Sequence, residues 1–230
     1  MKNSTCIFIS EISSVVLSLV LMASSLLKAV NVHSFAMEVM LFSELYVSSV
    51  FVPYCLEIAC AVCSFELFLS LLLLHRRFRM SASFMSFVLL SFFVLLTGMN
   101  LFMPARAGSI ESCGCFGELV HFSPSGAFVK SVVLWGVSIL CLIVSYENKC
   151  CCRYNGRTRI SVSLNVLGSL ILSSVPPTFS LIGIERMNVD VYILAYIVMC
   201  TTIILYAANR SIVMVSRSSD KLWNLGGKEV

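Results

Sequence analysis

Six apolar blocks, each about twenty residues long and separated by short polar segments, constrain this chain more than any other feature. A helix needs about 20 mostly apolar residues to cross the hydrocarbon core of a bilayer. The blocks run from about Ile7 to Val32, Pro53 to Leu74, Ser81 to Met103, Ser123 to Tyr146, Ile160 to Ile184 and Val191 to Ala208. With 58% hydrophobic and 12% charged residues among 230, too few polar side chains remain to cover a soluble core of that size. An all-α fold is expected: a polytopic transmembrane helical bundle. Lys2 ahead of the first block resembles the start of a secretion signal, but Glu11 interrupts that pattern, so the block is read as a retained span.

The basic residues give an orientation. With the N-terminus inside, twelve fall on internal segments, including Arg76, Arg77, Arg79, Arg153, Arg157 and Arg159. Only Lys28, Arg106, Lys130 and Arg186 fall on or near the other side. Positive charge is retained on the cytoplasmic side, so both termini are expected in the cytoplasm, in a bacterial inner membrane, with the segment around residues 104–123 facing outward. The net charge of +4 lies in these connections and forms no basic stripe with interleaved aromatics. Nucleic acid is therefore excluded as a partner, and the lipid bilayer is the expected environment.

The outward loop carries the sharpest motif, Cys113-Gly114-Cys115-Phe116-Gly117. Gly114 and Gly117 free the backbone to bring two sulfurs together. A disulfide closing so small a ring is exchange-prone, and the outer side is the oxidising one. Three readings stand: a redox-active pair, a structural staple, or, with His121, a soft metal site. Within helix two, Cys60 and Cys63 have the spacing of redox dithiols. A relay from the loop through this pair would end on a quinone, the one cofactor the chemistry suggests. The alternative is two apolar helix thiols, in the company of Cys55, Cys141 and Cys200. Cys150, Cys151 and Cys152 sit on the reducing side and read as a membrane-edge stretch.

Carboxylates inside a membrane are costly and mark functional sites by default. Glu57 and Glu66 lie nine residues apart, which puts them on opposite helix faces. Glu57 matches Lys28 in depth, so a Lys28–Glu57 ion pair is expected. Glu66 lies deeper, where burial keeps a carboxyl neutral unless it is partnered. Both residues either hold helices together or move protons.

The loop motif after a third span, with a proline-started fourth span behind it, resembles the MauE branch of the MauE/DoxX-like membrane proteins. Ala23-Ser24-Ser25-Leu26-Leu27-Lys28 is similar to the family's small-residue-then-lysine end of helix one. Glu66, followed by Leu67-Phe68-Leu69-Ser70 and then Arg76-Arg77, is similar to its glutamate in helix two. Ser25 and Ser70 stand where the family usually has glycine. The resemblance covers about residues 5–146 and implies a four-helix DoxX-like membrane core linked to disulfide handling of exported proteins. Residues 147–208 then add two spans, and 209–230 form a cytoplasmic tail.

On this resemblance Cys113 and Cys115 would carry thiol–disulfide exchange. Gly114, Phe116 and Gly117 would shape the loop, and Lys28, Glu57 and Glu66 would support the bundle. The implied partner is an exported thioredoxin-like or disulfide-containing protein, and methylamine utilisation is the family's association. The rival readings are a non-enzymatic assembly factor whose loop is only a staple, and a small-solute or metal transporter using the embedded carboxylates.

Overall fold

In the computed structural model the described residues are 2–103, 123–151, 159–186 and 188–226. Among them there is no strand. Helix α1 (Lys2–Val30) is followed by α2 (Val32–Phe42), a π-helical turn (Ser43–Val47) and a 3₁₀ segment (Ser49–Tyr54). Then come α3 (Cys55–Leu73), α4 (Arg79–Phe102), α5 (Pro124–Cys151), α6 (Arg159–Arg186) and α7 (Val189–Gly226). Six stretches have the length and composition of membrane spans: Ile9–Val30, Val50–Leu73, Arg79–Phe102, Ser125–Tyr146, Asn165–Gly183 and Val189–Ser216. The expected polytopic helical bundle is the fold.

Helix α1 is central, packing against α3, α5 and α7, while α4 pairs with α5 and α6 with α3. Lipid is as apolar as leucine, so small residues and hydroxyl hydrogen bonds, rather than burial of oil from water, hold such helices together. The sequence supplies them at helical spacing. Ser10, Ser14, Ser18 and Ser25 recur on one face of α1 and all are buried. Ser18 Oγ donates to the Ser70 carbonyl at 2.7 Å and Ser25 Oγ to the Cys63 carbonyl at 2.7 Å. Helices α1 and α3 thus meet through serine hydroxyls of α1 on main-chain carbonyls of α3. At the seam of α1, α4 and α5, buried Cys141 Sγ lies 3.4 Å from Ser14 Oγ and 3.2 Å from Ser83 Oγ.

Two elements depart from expectation. The stretch between the first two blocks forms α2 and the short turns after it. Asn31 breaks the chain here and caps α2, its side chain accepting from Ser34 N at 3.2 Å. The segment from residue 209, expected as a tail, is helical and extends α7 to Gly226. No proline or glycine interrupts the sequence before Gly226, and polar side chains alone do not end a helix. Arg76 of the α3–α4 connection and Arg79 at the start of α4 also grip α7: Arg76 Nη2 donates to the Met214 carbonyl at 2.9 Å, and Arg79 Nη2 reaches Met214 Sδ at 2.9 Å.

Helix α6 runs through Pro176 and Pro177, both of them buried. Its own hydroxyls surround the prolines: Ser173, Ser174 and Thr178 donate to carbonyls three or four residues back. Gly183 lets α7 close on α6, because a Cβ there would stand 2.5 Å from the Tyr192 ring.

Candidate functional site: a buried lysine–glutamate pair in the bundle core

The charged centre of the bundle joins α1 to α3. Lys28 Nζ lies 2.5 Å from Glu66 Oε1, and each side chain is 1% exposed. Ser24 Oγ donates to Glu66 Oε2 at 3.3 Å. The ammonium also faces two aromatic rings, 4.7 Å from the Phe93 centroid and 5.3 Å from that of Phe35. Such contacts strengthen as water is excluded.

This pairing corrects the expected Lys28–Glu57 bridge. Cys63, Glu66 and Ser70 share the face of α3 that meets α1, whereas Glu57 stands on the opposite face and is exposed. The Ser25–Cys63 bond sets the register, which places Glu66 about six residues, or roughly 9 Å, from the level of Lys28. Side chains on a helix lean towards its own N-terminus. Because α1 and α3 are antiparallel, Lys28 and Glu66 lean towards each other and close that gap. Depth along the sequence ignores this lean.

A second cluster lies at the other end of the bundle. Glu11 forms an ion pair with Arg76 and lies 4.0 Å from Arg79, whose Nη1 donates to Ser10 Oγ at 3.3 Å. Sequence reasoning placed Arg76 and Arg79 only as orientation signals and used Glu11 only against a signal peptide. It also passed over Lys130, which lines a small cavity of about 20 Å³ with Lys28 and Glu66. That volume is about one water molecule. The available signal was a lysine near the start of an otherwise apolar span.

Cys60 is half-buried and Cys63 buried, both as free thiols. They pack in an apolar cluster with Ala29, Val32 and Phe35. Cys113, Gly114, Cys115, Phe116 and Gly117 lie outside the described residues. Their segment leaves α4 at Phe102 and Met103 and returns at Ser123, the end of the bundle where α1 also finishes. There Ser123 Oγ accepts from Gly126 N at 3.3 Å, capping the proline-started α5 as its sequence implies.

Together these features define a polytopic helical membrane protein with a charge-paired core and a cysteine-bearing connection between its third and fourth spans. The family model described as methylamine utilisation protein MauE matches residues 7–144, and the chain belongs to that family. The matched region ends inside α5, so α6 and α7 lie beyond it. No curated protein and no solved structure matches the chain.

Proposed function

We propose that the chain supports thiol–disulfide exchange, or disulfide maturation, of exported proteins through Cys113 and Cys115. In this reading the 104–122 connection faces the extracytoplasmic side of a bacterial inner membrane and both termini are cytoplasmic. The observation that carries it is the Cys-Gly-Cys motif on the connection between α4 and α5 of a MauE-family bundle. The basic asymmetry of the chain supports the orientation. Membership of the methylamine utilisation protein MauE family supports methylamine utilisation as the setting, and an exported thioredoxin-like protein is the partner such chemistry would serve.

In the exchange, one cysteine thiolate attacks a partner's disulfide. One S–S bond forms as another breaks, and the released partner sulfur takes up a proton. The second cysteine then attacks the mixed disulfide, leaving an oxidised loop and a reduced partner; the reverse sequence oxidises the partner. A transport reading draws less support. Glu66 is engaged by Lys28 and Ser24 while Glu57 is exposed on another face, so the two carboxylates do not converge on a common site.

Single serine replacements at Cys113 and Cys115 test the proposal in intact cells. Replacing the resolving cysteine should accumulate a reductant-sensitive covalent complex with an exported protein, and replacing the attacking one should accumulate none. Loss of stability in both single variants with no trapped partner would instead identify a staple. An impermeant thiol reagent should reach the reduced loop from outside; labelling of Cys150 to Cys152 under the same conditions would overturn the orientation.

A further inference from the structure

A cavity of about 230 Å³ opens between α2, α3, α4 and the 3₁₀ segment, at the end of the bundle where the 104–122 connection departs. Phe35, Phe42, Phe51, Phe92 and Phe93 line it, and Lys28 forms part of its wall. Drug-sized ligands occupy about 300–1,000 Å³, so this space suits one ring rather than a whole lipid. Phe51 and Phe92 are 46% and 53% exposed. A molecule seated among the inner rings therefore has a path for a tail between these two side chains into the bilayer.

Charge narrows the class of ligand. A cation would compete with Lys28, whose ammonium already occupies the faces of Phe35 and Phe93. An anion would find that Glu66 balances Lys28, and it would also meet Glu38 on the cavity lining. What remains is a neutral ring carrying an acceptor oxygen. Thr97 also lines the space, but its hydroxyl donates to the Phe93 carbonyl at 2.8 Å and the Val94 carbonyl at 3.3 Å. The Lys28 ammonium is thus the donor suited to a ring carbonyl, through a charge-assisted hydrogen bond.

We propose that this cavity binds the head of a neutral, lipid-borne ring carbonyl compound, of quinone head-group chemistry, with its carbonyl oxygen on Lys28. The site is distinct from the Cys60/Cys63 pair, which does not line the cavity. It goes beyond the exchange reading and stands without it. Binding is measured on the resting protein, so its failure leaves cysteine trapping untouched, and the converse holds.

The test uses the full chain in nanodiscs of neutral phosphatidylcholine, with a decyl-chain benzoquinone as the probe. Saturable binding at one site per chain is expected. Leu96→Trp, which fills the cavity, should weaken it at least tenfold, and Phe65→Trp, on the lipid-facing side of α3, should leave it unchanged. Val62→Phe gives a second filling variant if Leu96→Trp does not fold. An azide-bearing benzoquinone should label the Phe92–Thr97 stretch of the unmodified chain on illumination, and excess decyl-benzoquinone should suppress the labelling. The proposal is overturned if binding never saturates, if folded filling variants bind as well as the parent, or if labelling falls elsewhere. Equal binding of a decyl-cyclohexane would remove the role of the carbonyl, and displacement by phosphatidylglycerol would make this an anionic lipid site.

Discussion

The two charge clusters of the bundle use similar side chains in opposite ways. At Lys28 and Glu66 one cation meets one anion, both side chains are 1% exposed, and a serine and two aromatic rings complete the enclosure. At Glu11, two arginines converge on one carboxylate, and Arg76 is 37% exposed. Among the described residues, Glu11 Oε2 and Arg79 Nε have no hydrogen-bond partner. The first is a closed pair deep in the bundle; the second is a rim cluster with an excess of positive charge. A charge in the closed pair that loses its partner cannot reach water, whereas in the second cluster Arg76 is already part-exposed, although Glu11 and Arg79 are buried.

Breaking the closed pair on one side should therefore be the most damaging change. Lys28→Met or Glu66→Leu alone should destabilise the bundle by about 3–5 kcal/mol, read from unfolding in mixed micelles. Replacing both should cost much less, because no stranded charge remains; a double variant as harmful as the two singles added would show the residues are uncoupled. Glu11→Gln should cost less than either single change, about 1–3 kcal/mol, since Arg76 turns to solvent. If it matches Lys28→Met, the distinction between closed and rim clusters is wrong.

Smaller effects sharpen the picture. Tyr192→Phe and Tyr196→Phe should each cost about 0.6 kcal/mol and at most about 1.7 kcal/mol, the average and upper value for hydrogen bonds between membrane helices. Glu57→Gln, on the exposed face of α3, should stay within about 0.5 kcal/mol by the same unfolding measurement. A large effect there would restore Glu57 as a partner of the core.

The spans were legible because apolar length is a local property: all six blocks became helices, though the sixth runs on well past its expected end at Ala208. Glu66 was legible as a membrane carboxylate, and Lys28 as the end of helix one. Their pairing was not, because it depends on the antiparallel lean of two side chains rather than on depth. Helix α2 was missed because Val32–Phe42 is too short to register as a span. The serine face of α1 was present as Ser10, Ser14, Ser18 and Ser25, but serines are common enough that spacing gains meaning only once a neighbouring helix is in place. Cys141 looked like one more apolar thiol until Ser14 and Ser83 appeared on either side of it.

The break at Asn31 carries a consequence for the order in which this protein is made. Ser34 N, which would otherwise continue the helical ladder onto the Val30 carbonyl, turns to Asn31 Oδ1. That carbonyl accepts instead from Tyr192 OH at 2.7 Å and Ser180 Oγ at 3.3 Å, while Tyr196 OH reaches the Leu26 carbonyl at 2.6 Å. The end of α1 is thus completed by two helices that follow it much later in the chain, α6 and α7. Until α6 and α7 are synthesised and inserted, the Val30 carbonyl lacks these two donors and depends on water at the margin of the bilayer. The newborn four-helix unit has every reason to stay loose, or in the hands of an insertase, until α6 and α7 arrive.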